Sequence, residues 1–222
     1  MAQVLYKHPN STTSLSIHDN TFECKNVDAD IEDVIFKYDI AAVVGRPSVF
    51  RLGESINNVV MEQITTEKAR KSEIYTGLLD PSLFTMQFAD NTFSTCHHMH
   101  KGAIYYLEEG ARIRDLRSDY GYASALHGGV AFVTGDGTYF HYASGDSEPY
   151  IEQVKAYYGG FAYVEHGATV EVKTEVRQQF CEAYEGVAFY AINRARVVTR
   201  DGVKFQSNKA RKRALFVILE GS

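Results

Sequence analysis

The chain has 222 residues, a net charge of −5 and no tryptophan, with 45% hydrophobic and 23% charged side chains. This balance can bury a core and excludes wholesale disorder, while 17 glycines and 4 prolines exclude collagen-like and proline-rich architectures. Met1–Pro9 lacks the basic and apolar stretches of a signal peptide, and no window approaches the roughly 18 uninterrupted apolar residues of a membrane helix. The expectation is a protein of the cytoplasm or of an assembled particle, with no membrane partner.

Leu15-Ser16-Ile17 alternates up to Asp19-Asn20, and Phe22 and Cys24 resume the alternation. Residues 30–38 place Ile31, Val34, Ile35 and Tyr38 at helical spacing behind Asp28 or Asp30 as caps, and residues 56–71 do the same with Ile56, Val59, Val60 and Ile64. Phe84, Met86 and Phe88 alternate into Asp90-Asn91 and on to Thr92–Thr95. Val130–Val133 leads through Gly135-Asp136-Gly137 into Thr138–Ala143. A third helix is predicted from Ser147 and Pro149 through Ile151, Val154 and Tyr158 to Gly159-Gly160.

Phe161–Val164 leads through His166-Gly167 into Thr169–Lys173. Val176, Phe180 and Tyr184 align as a fourth helix before Gly186. Ala195–Thr199 leads through Asp201-Gly202 into Val203–Gln206, and the nearly continuous apolar run Ala214–Leu219 reads as a strand buried on both faces. Asp-Gly and Asp-Asn suit the positive φ of hairpin turns. Five such hairpins predict an α+β fold, mainly antiparallel β and sandwich or jelly-roll-like, with three to four short peripheral helices. One compact β-rich domain over 1–222 is expected, with an N-terminal α/β appendage over 1–80 as the alternative. No period of roughly 20–50 residues is visible, which argues against a repeat array.

Cys24, Cys96 and Cys181 are odd in number and lack a CxxC pair, so reduced thiols are expected. If Thr92 onward is one strand, alternation sets Cys96, His98 and His100 in a row able to share Zn²⁺ or Fe²⁺. His98-Met99-His100, with Ile104–Gly110 behind it, resembles the H-x-H, Glu and Gly motif of the cupin superfamily. That resemblance implies a metal-dependent enzyme on a jelly-roll barrel. Ala103 stands near the place of the family's ligand Glu, and the second motif, P-x-G-x-x-H, is absent.

His127-Gly128-Gly129 running into Val133, with Phe140-His141-Tyr142 behind, is similar to the histidine hairpin of papain-like cell-wall endopeptidases. This implies a hydrolase in which Cys96 is the nucleophile, activated by His127 and oriented with His141. The usual Asp-Cys-Ser-Gly context is missing. No complete catalytic or phosphate-binding motif is present.

Charge is segregated: residues 1–111 carry 15 acidic and 9 basic side chains, residues 112–222 carry 13 and 14. Arg194, Arg196, Lys209, Arg211, Lys212 and Arg213 form a basic rear that could meet nucleic-acid phosphates, or the acidic front at Asp28, Asp30 and Asp33 in a second copy. The 15 tyrosines and 13 phenylalanines suit half-wet protein contacts. The leading expectation is a non-enzymatic structural protein without a cofactor, a self-associating or particle-decorating subunit such as a virion component. A cupin-like metal enzyme and a Cys/His hydrolase are the alternatives.

Overall fold

Asp90, Arg117 and Asp19 all have φ between 54° and 57°, as a hairpin turn requires, yet each sends its amide along the molecule instead of across a hairpin. Asp19 N donates to Ala89 O, Asp90 N to Leu116 O and Arg117 N to Ala143 O. The turns are corners of a coil. The computed structural model describes residues 15–19, 21–23, 50–52, 86–108, 110–143, 149–173, 175–200, 202–212 and 214–219.

All regular elements among these residues are strands. β1 (Leu15–His18), β2 (Thr21–Glu23) and β3 (Phe50–Leu52) belong to the first coil. Next come β4 (Met86–Ala89), β5 (Thr92–Ser94), β6 (His97–Lys101) and β7 (Tyr105–Leu107), then β8 (Arg112–Leu116), β9 (Asp119–Gly121), β10 (Ser124–His127) and β11 (Ala131–Thr134). The following coil holds β12 (Tyr139–Ala143), β13 (Tyr150–Glu152), β14 (Lys155–Tyr158) and β15 (Ala162–Glu165). The next holds β16 (Thr169–Lys173), β17 (Arg177–Gln179), β18 (Glu182–Glu185) and β19 (Phe189–Ile192). The outermost described coil is β20 (Arg196–Arg200), β21 (Lys204–Gln206), β22 (Lys209–Ala210) and β23 (Phe216–Leu219).

Every strand pairs in parallel with its counterpart one coil away, which makes four sheets. Sheet I is β1-β4-β8-β12-β16-β20, sheet II β2-β5-β9-β13-β17-β21, sheet III β6-β10-β14-β18-β22 and sheet IV β3-β7-β11-β15-β19-β23. The fold is a parallel β-solenoid. This overturns the antiparallel sandwich, and with it the jelly-roll that the cupin resemblance implied.

The repeat that the sequence concealed is 27 residues. Met86 pairs with Ile113, Arg112 with Tyr139 and Thr169 with Arg196 at that spacing, whereas Tyr139 to Thr169 takes 30 in the coil that includes residues 144–148. The predicted helices over 30–38 and 56–71 lie outside the described residues. The other two are strands β13–β14 and β17–β18. Their helical spacing comes from corners: Gln153, at φ 53°, resets the pleat, so Ile151 and Val154 both turn inward three residues apart.

The core is a set of axial stacks. Sheet I contributes Ile113, Phe140 and Val170; sheet II contributes Phe93, Tyr120 and Ile151; sheet IV contributes Tyr105, Ala131, Ala162 and Phe189. Among the described residues, sheet III contributes the small stack Ala125, Ala156 and Ala183, which leaves room for the rings opposite. Glycine is required where sheet III turns into sheet IV. Gly159 has φ +69°, and a Cβ there would lie 2.3 Å from Ala162 O.

Candidate functional site

Cys96 does not share a strand with His98 and His100. Cys96 lies in the corner before β6, fully buried, and it is one half of a disulfide whose other half lies outside the described residues. The sequence predicts reduced thiols throughout; among the described residues Cys181 is a free, buried cysteine and Cys96 is not free. Ahead of His100 the register also slips: Ala125 faces His98 but His127 faces Lys101, so one strand of unbroken alternation does not exist there. Among the described residues no group of three or more His, Cys, Asp or Glu side chains could hold a metal ion.

The hydrolase residues are not brought together either. His127 ends β10 in sheet III and His141 sits in β12 of sheet I, so the two are not neighbours across a hairpin. His127 packs against the rings of Tyr158 and Tyr163, with centroids 5.4 and 4.9 Å away. Burial pulls both histidines down to about 4, so each is neutral at pH 7.

Much of the basic rear meets carboxylates of the preceding coil. Arg211 Nε lies 2.7 Å and Lys209 Nζ 3.6 Å from Glu182 Oε1, and Lys212 Nζ lies 3.3 Å from Glu185 Oε1. Arg194 reaches Asp136 at 4.0 Å. Arg196 is exposed on β20. Asp28, Asp30, Asp33 and Arg213 lie outside the described residues. The basic partners stand in solvent while Glu185 is buried, and pairs with a solvent-exposed cation contribute about 0–1 kcal/mol each.

On the outer face of sheet I, Tyr139 Oη donates to Glu171 Oε2, His141 Nδ1 lies 3.5 Å from the same oxygen and Arg200 Nε lies 2.9 Å from Glu171 Oε1. Burial works to raise the Glu171 carboxyl, but the Tyr139 hydrogen bond, His141 and Arg200 together hold it below its usual range. Burial and that carboxylate push the Tyr139 phenol up. The cluster fixes a carboxylate in place and keeps a neutral imidazole beside it.

Inside the core is a carboxylate that sequence reading missed. Asp115 projects inward from β8 in register with Phe88 and Tyr142, and it accepts hydrogen bonds from Tyr105 Oη at 2.6 Å and from Ser118 Oγ and Tyr120 Oη. Tyr142 Oη donates to Ser118 O at 2.5 Å. Burial raises the Asp115 carboxyl to about 6 despite those donors.

Outside the core, two groups of aromatic side chains stand apart. On sheet IV, Tyr106, Phe132, Tyr163 and Tyr190 stack face to face along the axis, with centroids 5.2, 5.4 and 5.3 Å apart. Their ring faces are consumed by one another. At sheet II, Tyr122, Tyr150 and Phe180 are exposed instead.

No family model, no curated protein and no solved structure matches the chain. No described helix is long and apolar enough to cross a membrane.

Proposed function

We propose that the chain is a non-enzymatic structural subunit, a stiff solenoid that self-associates or decorates a larger particle such as a virion. The observation that carries this reading is the axial ladder. Backbone pairs, stacked rings and coil-to-coil ion pairs all run in one direction, so side-chain contacts reinforce stiffness along the solenoid. Contact between subunits is supported by β20–β23, where Phe216 and Ile218 stand in register with the buried Phe189 and Ala191 yet are exposed. Apolar side chains in core register suit coverage by another subunit.

Sedimentation velocity on the full chain tests this. Concentration-dependent association is expected, and Ile218→Asp should abolish it without lowering the melting temperature, because the side chain is already in water. A species that stays monomeric across the accessible concentration range, and recruits no partner subunit from its native source, would count against the reading.

A further inference from the structure

We infer that the outer face of sheet II, with the corner that joins it to sheet III, binds an extended, uncharged polysaccharide lying along the solenoid axis. Two of the rings concerned occupy one structural position. Tyr122, Gln153 and Phe180 are the corner residues of three successive coils, each with φ 53°. Tyr122 is 51% and Phe180 55% exposed, the largest exposures of any Tyr or Phe among the described residues.

Their placement differs from the ladder of sheet IV in the respect that matters for a ligand. Among the described residues no ring is stacked on Tyr122 or Phe180, whereas each ring of the ladder has a neighbour on its face. A free aromatic face offers a flat apolar surface to the C–H face of a pyranose ring. An edge-on ladder does not.

The spacing selects a polymer. Adjacent coils are separated by roughly 4.7–4.9 Å, so two coils set Tyr122 and Phe180 roughly 9.5 Å apart along the axis. One sugar unit of an extended chain advances by close to one coil, so alternate units would meet the two rings. The unit between them would face Gln153.

The polar surroundings suit hydroxyl groups. The outward row beside the corner runs Gly121, Glu152, Gln179 and Gln206 in strict register. Carboxylate and amide oxygens accept hydroxyl hydrogens, and amide N–H groups donate to ring and hydroxyl oxygens. Gly121 leaves open space, since a Cβ built there meets nothing within 4 Å. Gly121 itself is buried, and Tyr122 directly after it is the exposed surface that a sugar ring would meet. Among the described residues of this face Asp119 and Glu152 are balanced by Arg177 and Lys204, so it carries no net charge, which points to an uncharged glycan.

The backbone supports the same reading. Left-handed φ disfavours bulky L-residues, and Asn or Gly would serve the corner at lower free energy. Keeping two aromatic rings there, pointing into water, is unfavourable for the fold alone.

Affinity electrophoresis of the full chain through gels containing hydroxyethyl cellulose, xylan, galactomannan or dextran, with a glycan array of uncharged oligosaccharides, tests the proposal. At least one uncharged glycan should retard the protein, insensitively to salt. Tyr122→Ala with Phe180→Ala should weaken binding by at least about tenfold, while Arg211→Ala, just past the end of β22, leaves it unchanged. Circular dichroism would verify that the double variant keeps the wild-type strand signature. Should that variant not fold, Tyr122→Asn and Phe180→Asn, each tolerated at left-handed φ, would be measured singly, with each expected to weaken binding. Failure of every uncharged glycan to bind, binding unmoved by removal of the rings, or binding that collapses with salt would overturn it.

Discussion

Tyr105 Oη donates a 2.6 Å hydrogen bond to Asp115 Oδ2 in the middle of an apolar core where neither residue has any exposed surface. The relationship joins sheet IV to sheet I across the interior, one strand of each. Removing the donor with Tyr105→Phe leaves the carboxylate with Ser118 and Tyr120 only. A loss of roughly 1.5–3 kcal/mol at pH 7 is expected by urea denaturation, since the acceptor is charged and buried. The loss should shrink at pH 5, where the acid is largely protonated; a pH-independent loss would show that the carboxylate is not the partner that matters.

The same carboxyl sets an unusual sign. Its folded value, about 6, lies above the ordinary 3.8, so between about pH 4 and 6 the folded state binds more protons than the unfolded one. Its contribution therefore falls as pH rises through that window, by roughly 3 kcal/mol in all. Asp115→Asn removes this gain on acidification. The variant should lose more stability between pH 7 and pH 4.5 than the wild type does, and an equal loss would refute the assignment.

His127 and His141 act in the opposite direction. Burial lowers both to about 4 from 6.5, so the unfolded chain takes up protons first as pH falls. Each histidine then removes up to about 3 kcal/mol between pH 6.5 and 4. His141→Gln should make the fall in melting temperature with acid shallower. A curve as steep as the wild type's would mean that His141 is already charged in the folded protein.

Stacking on sheet IV is measurable against an exposed control. Tyr163 lies between Phe132 and Tyr190 with interplanar angles of 8° and 7°. Tyr163→Leu keeps apolar surface but loses both stacks, for an expected cost of about 1–3 kcal/mol. Tyr122→Leu should be near neutral in the same denaturation assay. Equal effects at the two sites would remove the distinction between ladder rings and corner rings.

The turns were legible in the sequence, and the β-rich character with them. Asp19, Asp90 and His166 all sit at positive φ at breaks that the sequence marks. Their direction was not legible, because a left-handed residue ends a strand equally well at a hairpin or at a corner. What decides is where the amide goes, and that depends on a strand one coil away. The repeat itself survives in few letters. Gly102, Gly128, Gly159 and Gly186 each precede an aromatic residue by four, namely Tyr106, Phe132, Tyr163 and Tyr190, but the steps between them are unequal across residues 144–148. The basic rear was read as a surface for a partner, because the sequence does not show that Glu182 lies one coil below Lys209 and within reach of Arg211. Asp115 was hidden by its composition class, since a carboxylate in a strand is normally outward.

The corner rings set stability against recognition. Phe180 is exposed and has a left-handed backbone, so Phe180→Asn gives up little buried surface and relieves a conformation that disfavours L-residues by about 1–2 kcal/mol. Asn tolerates that conformation. A gain of about 0.5–1 kcal/mol is expected in urea denaturation, with the same direction for Tyr122→Asn. The same two substitutions should weaken polysaccharide retardation. Stability that falls instead would show that the rings contribute packing to the solenoid, and the argument that they are kept for a ligand would lose its footing.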